Sequence, residues 1–222
     1  GNGGSGSGGG GNDKKEQKPT PDNTNTPDNT KPQDGAYSDL GGHEWAKNAI
    51  EELSRKGIIS GDGNGNFRPQ DSVKREEFVK MLVEALDIST DGSNADFSDA
   101  QKGAWYEKYL TAAKNSGISM GREDGTFGIG ENILRQDLAV MMLRALEAVG
   151  KAPKLSENTE SFSDASAISK YAQEAVSNMQ SNGFIQGMGD GSFAPMQSAT
   201  RAQAAVIIKR ILDYIGGSDT LL

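Results

Sequence analysis

The sequence predicts an all-α protein. Three helix–loop–helix repeats of one chain close into a pseudo-three-fold helical bundle, preceded by a disordered N-terminal linker. Three observations predict it. The chain repeats itself: Tyr37-Ser38-Asp39, Phe97-Ser98-Asp99 and Phe162-Ser163-Asp164 open three segments, and an aromatic residue follows each (Trp45, Trp105, Tyr171). Twelve residues on stands a glycine (Gly57, Gly117, Gly183), ten further a phenylalanine (Phe67, Phe127, Phe193), and eight further an arginine (Arg75, Arg135, Arg201). This spacing holds in all three copies without a gap, and self-similarity at a fixed period marks a repeat architecture. Each copy also carries two apolar stripes of helical period. Finally, a copy with only two helices cannot bury both stripes, so three copies are expected to share one core.

Residues 1–35 contain no A, V, I, L, M, F, W, Y or C; Gly1–Gly11 is glycine, serine and asparagine, and Thr-Pro-Asp-Asn-Thr runs reach Pro32. Such a segment buries too little apolar surface to offset its chain entropy and is expected to be a disordered tether to an upstream domain. The repeats are placed at residues 36–95, 96–160 and 161–222. In the first helix of repeat one, Ala46, Ala49, Ile50 and Leu53 recur at i, i+3, i+4 and i+7, the stripe of a half-buried helix. Tyr106, Tyr109, Leu110 and Ala113 stand at the equivalent places of repeat two, and Ala172, Ala175, Val176 and Met179 at those of repeat three. The second helix carries Phe78, Met81, Leu82, Ala85 and Leu86; its counterparts are Leu138, Met141, Met142, Ala145 and Leu146, then Ala204, Ile207, Ile208, Ile211 and Leu212. Gly57, Gly117 and Gly183 fall just past the first helix, where a left-handed residue ends a helix and an apolar residue follows. Between the helices runs a glycine-rich loop opened by Gly61, Gly121 or Gly187, with Asn64-Gly65, Asp124-Gly125 or Asp190-Gly191 as its tight turn.

The loop Asp62-x-Asn64-x-Asn66 invites a calcium reading. An EF-hand loop needs glycine at its sixth place and a carboxylate at its twelfth; Phe67 and Val73 stand there, so a turn is the better reading. The arginines are more informative. Arg75, Arg135 and Arg201 fall in the first turn of the second helix, where the macrodipole disfavours a cation. Two readings follow: a carboxylate or phosphate site built on a helix N-terminus and a guanidinium, or structural bridges to Asp39, Asp99 and Asp164. Thr200-Arg201-Ala202-Gln203 fits a capping box. Trp45, Trp105 and Tyr171 are core residues by default; on an exposed groove wall their ring faces would suit a sugar. No pair of carboxylates is singled out for glycoside hydrolysis, and catalysis is not expected.

Composition narrows the classes further. Zero cysteines exclude a disulfide framework and a thiol nucleophile, and a single histidine (His43, without counterparts) leaves little for metal chemistry. A net charge of −8 argues against nucleic acid or an anionic membrane as partner. No apolar run reaches the roughly 18 residues of a bilayer span. No cofactor is expected.

Taken together, the (F/Y)-S-D openings, the early aromatics, the Gly-Ile-type breaks, the G-x-x-x-G-x-F loops and the helix-start arginines resemble tandem S-layer homology (SLH) domains over about residues 36–215. The family's Ile-Thr-Arg-Ala-Glu stretch is matched by Ala199-Thr200-Arg201-Ala202-Gln203; Lys74 and Leu134 replace its threonine in the other repeats. Gly128-Ile129 replaces the Phe-x-Pro ending kept at Phe67-Arg68-Pro69 and Phe193-Ala194-Pro195, and Tyr171 replaces the usual tryptophan. The resemblance implies a three-pronged spindle made by one monomeric chain. It further implies an extracellular module that anchors a surface protein non-covalently to the bacterial cell wall or S-layer. Its ligand would be secondary cell wall polysaccharide, often bearing pyruvylated N-acetylmannosamine, held in inter-repeat grooves. The site would then comprise Arg75, Arg135 and Arg201 for the ketal carboxylate, Asp39, Asp99 and Asp164 for hydroxyls, and Trp45, Trp105 and Tyr171 for the ring. Gly61, Gly121 and Gly187 would allow close backbone approach, with Thr200 at the helix cap. The alternative is a lattice-forming protein-interaction module with little sugar binding.

Overall fold

The computed structural model describes residues 37–156 and 160–218; the linker expected over 1–35 lies outside them. Six α-helices follow in pairs: α1 (Glu44–Arg55) and α2 (Arg75–Ala85), α3 (Glu107–Asn115) and α4 (Arg135–Ala148), α5 (Gln173–Ser181) and α6 (Arg201–Ser218). Two short 3-10 turns, Ala165–Ala167 and Lys170–Ala172, lead into α5. Nearly every residue of the six apolar stripes is buried; Ala85, Leu86 and Leu212, at the far ends, are half-buried against the same core. Helix α1 stops by the mechanism its glycine implies. Gly57 sits at φ 75°, its amide donates to the Ser54 carbonyl, and the Ile58 amide donates to the Leu53 carbonyl, the paired bonds of a Schellman stop. Gly183 and Phe184 repeat this after α5, donating to Gln180 and Met179.

Packing runs between repeats. Helix α3 of repeat two packs on α2 of repeat one, α5 of repeat three on α4 of repeat two, and α1 of repeat one closes the circle on α6 of repeat three. Each prong of the spindle is therefore built by two different repeats.

The circle is tied at its centre by three short extended segments. The Val73 amide donates to the Ala199 carbonyl, Ala199 to Ile133, and Ile133 back to Val73, each at 3.0 Å. The side chains of Val73, Ile133 and Ala199 are buried on the axis. One residue outward the arginine amides continue the pattern: Arg75 donates to Glu131, Arg135 to Gln197 and Arg201 to Asp71, at 2.8–2.9 Å. These are the first amides of α2, α4 and α6, which no helix can satisfy by itself. The next repeat satisfies them instead.

Candidate functional site

The three opening motifs act first on their own loops. Tyr37, Phe97 and Phe162 lie against Phe67, Phe127 and Phe193 with ring centroids 5.2–5.5 Å apart. The carboxylates of Asp39, Asp99 and Asp164 accept main-chain amides across each loop: Phe67 and Arg68 on Asp39, Phe127 and Gly128 on Asp99, Phe193 and Ala194 on Asp164, all at 2.7–2.8 Å. The second residue clamped in each repeat is left-handed: Arg68 at φ 59°, Gly128 at 92° and Ala194 at 55°. A side chain there strains the backbone, and the carboxylate holds it. Asp99 binds a third amide, from Ile129 at 2.8 Å. Its counterparts are Pro69 and Pro195, which have no N–H to give. Burial pushes the Asp99 carboxyl up, but these amides outweigh it and leave it below the ordinary carboxylate range.

The arginines lock neighbouring repeats together. Arg75 Nε donates to the Phe127 carbonyl, Arg135 Nε to Phe193 and Arg201 Nε to Phe67, at 2.8–3.0 Å. Each guanidinium also lies over the ring of that phenylalanine, 4.6–5.3 Å from its centroid. All three side chains are 7% exposed, and burial pushes the guanidinium groups of Arg135 and Arg201 down from their ordinary value. The bridge reading is thus corrected in its partners. No ion pair joins these arginines to Asp39, Asp99 or Asp164, because those carboxylates are taken by amides. The helix-end amides of Arg75, Arg135 and Arg201 are likewise bound to carbonyls, leaving the guanidinium edges as what each helix start offers an anion.

The loop glycines also have a local reason. A Cβ on Gly121 would stand 2.5 Å from Phe97 Cε1 and 2.9 Å from the Thr126 carbonyl oxygen, and one on Gly61 would meet Tyr37 at 2.5 Å. At Gly187 the nearest atoms are the Ser192 oxygen, at 2.6 Å, and Phe162. The backbone passes close to the opening aromatic of its own repeat, so these positions are held by packing beneath the grooves.

Two inter-repeat grooves lie above this frame, and each draws on all three repeats. In one, about 380 Å³ in volume, Arg135 of repeat two, Gly187 of repeat three and Trp45 of repeat one converge, with Gln203, Met188 and Arg210. In the other, about 750 Å³, Arg75 of repeat one meets Gly121 of repeat two and Tyr171 of repeat three, with Asp137, Arg122 and Arg144. The remaining set, Arg201, Gly61 and Trp105, occupies the third position of the same cycle. Trp45 and Tyr171 are exposed, at 57% and 61%. For these two the core assignment gives way to the groove wall. Trp105 is half-buried, edge-on to Tyr106 at 5.4 Å and packed beside Tyr109. Thr200 closes the capping box anticipated at α6: its hydroxyl accepts the Gln203 amide at 3.2 Å, and Gln203 Oε1 accepts the Thr200 amide at 3.1 Å.

Spacing within one repeat did not disclose the third residue of these helices, two beyond each arginine. Asp137 Oδ2 accepts from Arg75 Nη1 at 2.7 Å, and its other oxygen accepts the Tyr171 hydroxyl. Burial, then that bond, pushes Tyr171 up to about 12. Glu77 stands 3.6 Å from Arg201 Nη1 and also accepts the Lys74 amide. The signal available was the pattern Arg-x-(Glu, Asp or Gln) at residues 75–77, 135–137 and 201–203.

Comparison with known proteins agrees with this architecture. The family model of the S-layer homology domain matches residues 36–79, 96–139 and 161–205. The chain belongs to that family, as a tandem triplet. It is 32% identical over 185 residues to an endoglucanase of Bacillus sp. (strain KSM-635), covering 83% of this chain and 19% of that protein. It is 30% identical to the surface-layer 125 kDa protein of Lysinibacillus sphaericus, covering 77% and 14%, and 28% identical to a cellulosome-anchoring protein of Acetivibrio thermocellus, covering 70% and 35%. The chain thus spans from about a seventh to a third of the length of these relatives. Family and relatives place it at the bacterial cell wall or S-layer surface, as a cell-surface anchoring module.

Proposed function

We propose that the triplet holds a larger surface protein to the cell wall by binding secondary cell wall polysaccharide in its inter-repeat grooves. The recognised unit is an amino sugar bearing an acid group, such as a pyruvate ketal. One observation carries the reading: a buried guanidinium edge and an exposed aromatic face, supplied by different repeats, border the same groove. The ring offers an apolar face to the sugar, and the guanidinium edge suits a planar carboxylate. Several weak sites on one polymer gain by avidity. The module itself performs no catalysis in this reading, since Asp39, Asp99 and Asp164 are fully engaged by amides. Catalysis in an endoglucanase-like relative would belong to other parts of its chain, and here an upstream domain is the cargo.

The test is retention on purified peptidoglycan sacculi before and after hydrofluoric acid strips the secondary polymer. Retention is expected on intact sacculi and lost on stripped ones; equal retention on both would favour the lattice alternative and overturn this reading. Arginine-to-alanine variants are poor groove probes, because those side chains also lock the fold. Trp45→Ala is the cleaner one. It should weaken retention at least about fivefold, as expected for loss of an aromatic worth roughly 1 kcal/mol, with no change in Tm.

A further inference from the structure

We infer that the grooves are electrostatically unequal: the groove at Arg135 takes the acidic sugar, while internal carboxylates already hold the arginines at the other two positions. This rests on the polysaccharide reading above and adds which groove answers to charge.

The argument starts from register. Each helix-start arginine faces the third residue of the corresponding helix in the next repeat. Arg75 faces Asp137 at 2.7 Å, and Arg201 faces Glu77 at 3.6 Å. By the same cycle Arg135 faces Gln203, which lines its groove and is neutral. Gln203 has turned its Oε1 to the Thr200 amide. Arg135 donates Nε to the Phe193 carbonyl and Nη2 to the Gln186 carbonyl, and it pairs with no carboxylate among the described residues. Its Nη1 has no protein partner there and is not enclosed, since no buried side-chain nitrogen among the described residues lacks one. Asp164, the carboxylate whose charge Arg135 feels, is occupied by the Phe193 and Ala194 amides.

The surroundings differ in the same sense. The only ionisable residues lining this groove are Arg135 and Arg210. The groove at Arg75 is lined by Arg75, Arg122 and Arg144 against Glu123, Asp124 and Asp137, and balances to zero. An acidic sugar arriving there must displace Asp137 from Arg75 and then sit beside the displaced charge. At Arg135 it meets a guanidinium edge, a second cation and the exposed ring of Trp45, with no carboxylate to displace. A tethered carboxylate competes at a high effective concentration, so the asymmetry favours one groove even though the folded frame is nearly three-fold.

The experiment is calorimetric titration of the methyl glycoside of pyruvylated N-acetylmannosamine, and of its depyruvylated form, into wild type, Gln203→Glu and Asp137→Asn, with Tm measured for each. Wild type should bind the charged sugar at one site, at least about tenfold more tightly than the uncharged one. Gln203→Glu, which supplies the missing carboxylate and keeps the capping box, should lose at least about tenfold for the charged sugar and leave the uncharged one unchanged. Asp137→Asn should gain a second site. Unchanged affinity in Gln203→Glu, equal affinity for the two sugars, or three equal sites in wild type would overturn the inference. Retention of wild type on intact sacculi, run in parallel, separates the two failures. Retention that needs the polymer but ignores Gln203→Glu leaves the anchor standing and removes the asymmetry; no retention removes both.

Discussion

At the axis of the molecule, Val73, Ile133 and Ala199 exchange main-chain bonds of one length, and Arg75, Arg135 and Arg201 reach the same phenylalanine carbonyl of the next repeat. At the rim, the residues facing those arginines are an aspartate, a glutamine and a glutamate, and the aromatics above them are tryptophan twice and tyrosine once. The axis is built from backbone geometry and filled volume, where any departure leaves a void or an unpaired group in a close-packed interior. The rim is built from side-chain ends bordering water, where exchanging Glu for Gln changes charge at little cost to packing. Three-fold order is therefore strict where the chain is buried and loose where a ligand would sit. Divergence among copies marks the surface on which specificity can be tuned.

Four measurements bear on that contrast. The largest effect is expected at the locks. Arg201→Ala removes donors to the Phe67 and Ser60 carbonyls and leaves Glu77 without its cation; chemical denaturation should show a loss of about 3–5 kcal/mol. Asp99→Ala frees three amides, including that of left-handed Gly128, and should cost about 2–4 kcal/mol. A loss well under about 1 kcal/mol at either residue would place the strict symmetry somewhere other than in these bonds.

Acid should expose the same clamp. The folded-state pKa of Asp99 lies below its ordinary value of 3.8, so its contribution is fully present above that value and is lost as pH falls through the folded pKa. Stability of the wild type should therefore fall below about pH 4 more steeply than that of Asp99→Ala. Parallel acid curves for the two proteins would contradict this. The smallest effect is at the cap of α6: Thr200→Ala should cost about 1 kcal/mol and leave the 12–10–8 frame intact, measurable as a shift in Tm with unchanged helical circular dichroism.

Much of this was legible in the residues. The stripes, the glycine stops after α1, α3 and α5 and the tight turns are consequences of local geometry, and a repeated local pattern reveals them. Trp45 even carried its own signal. It stands one residue before the Ala46–Leu53 stripe, about 100° round the helix from it, which turns it off the core. Other features were not legible because they belong to neighbours. No spacing within a repeat says that α1 packs on α6, or that a groove takes its arginine, loop and aromatic from three repeats. Nor does residue type assign a carboxylate. Asp39, Asp99 and Asp164 suit sugar hydroxyls and main-chain amides equally well, and only the left-handed turn at residues 68, 128 and 194 shows what the amides require.

The ring of main-chain bonds among Val73, Ile133 and Ala199 has no two-member version. Remove one repeat and the other two keep one of the three axial bonds, two arginine locks lose a donor or an acceptor, and every groove loses a wall. The unit of function is the closed circle, so shortening the chain by a third should abolish the grooves instead of leaving two of them. A lone repeat of this kind could complete the figure only by assembling with two copies of itself, and joining three copies in one chain turns that concentration-dependent meeting into a property of a single molecule.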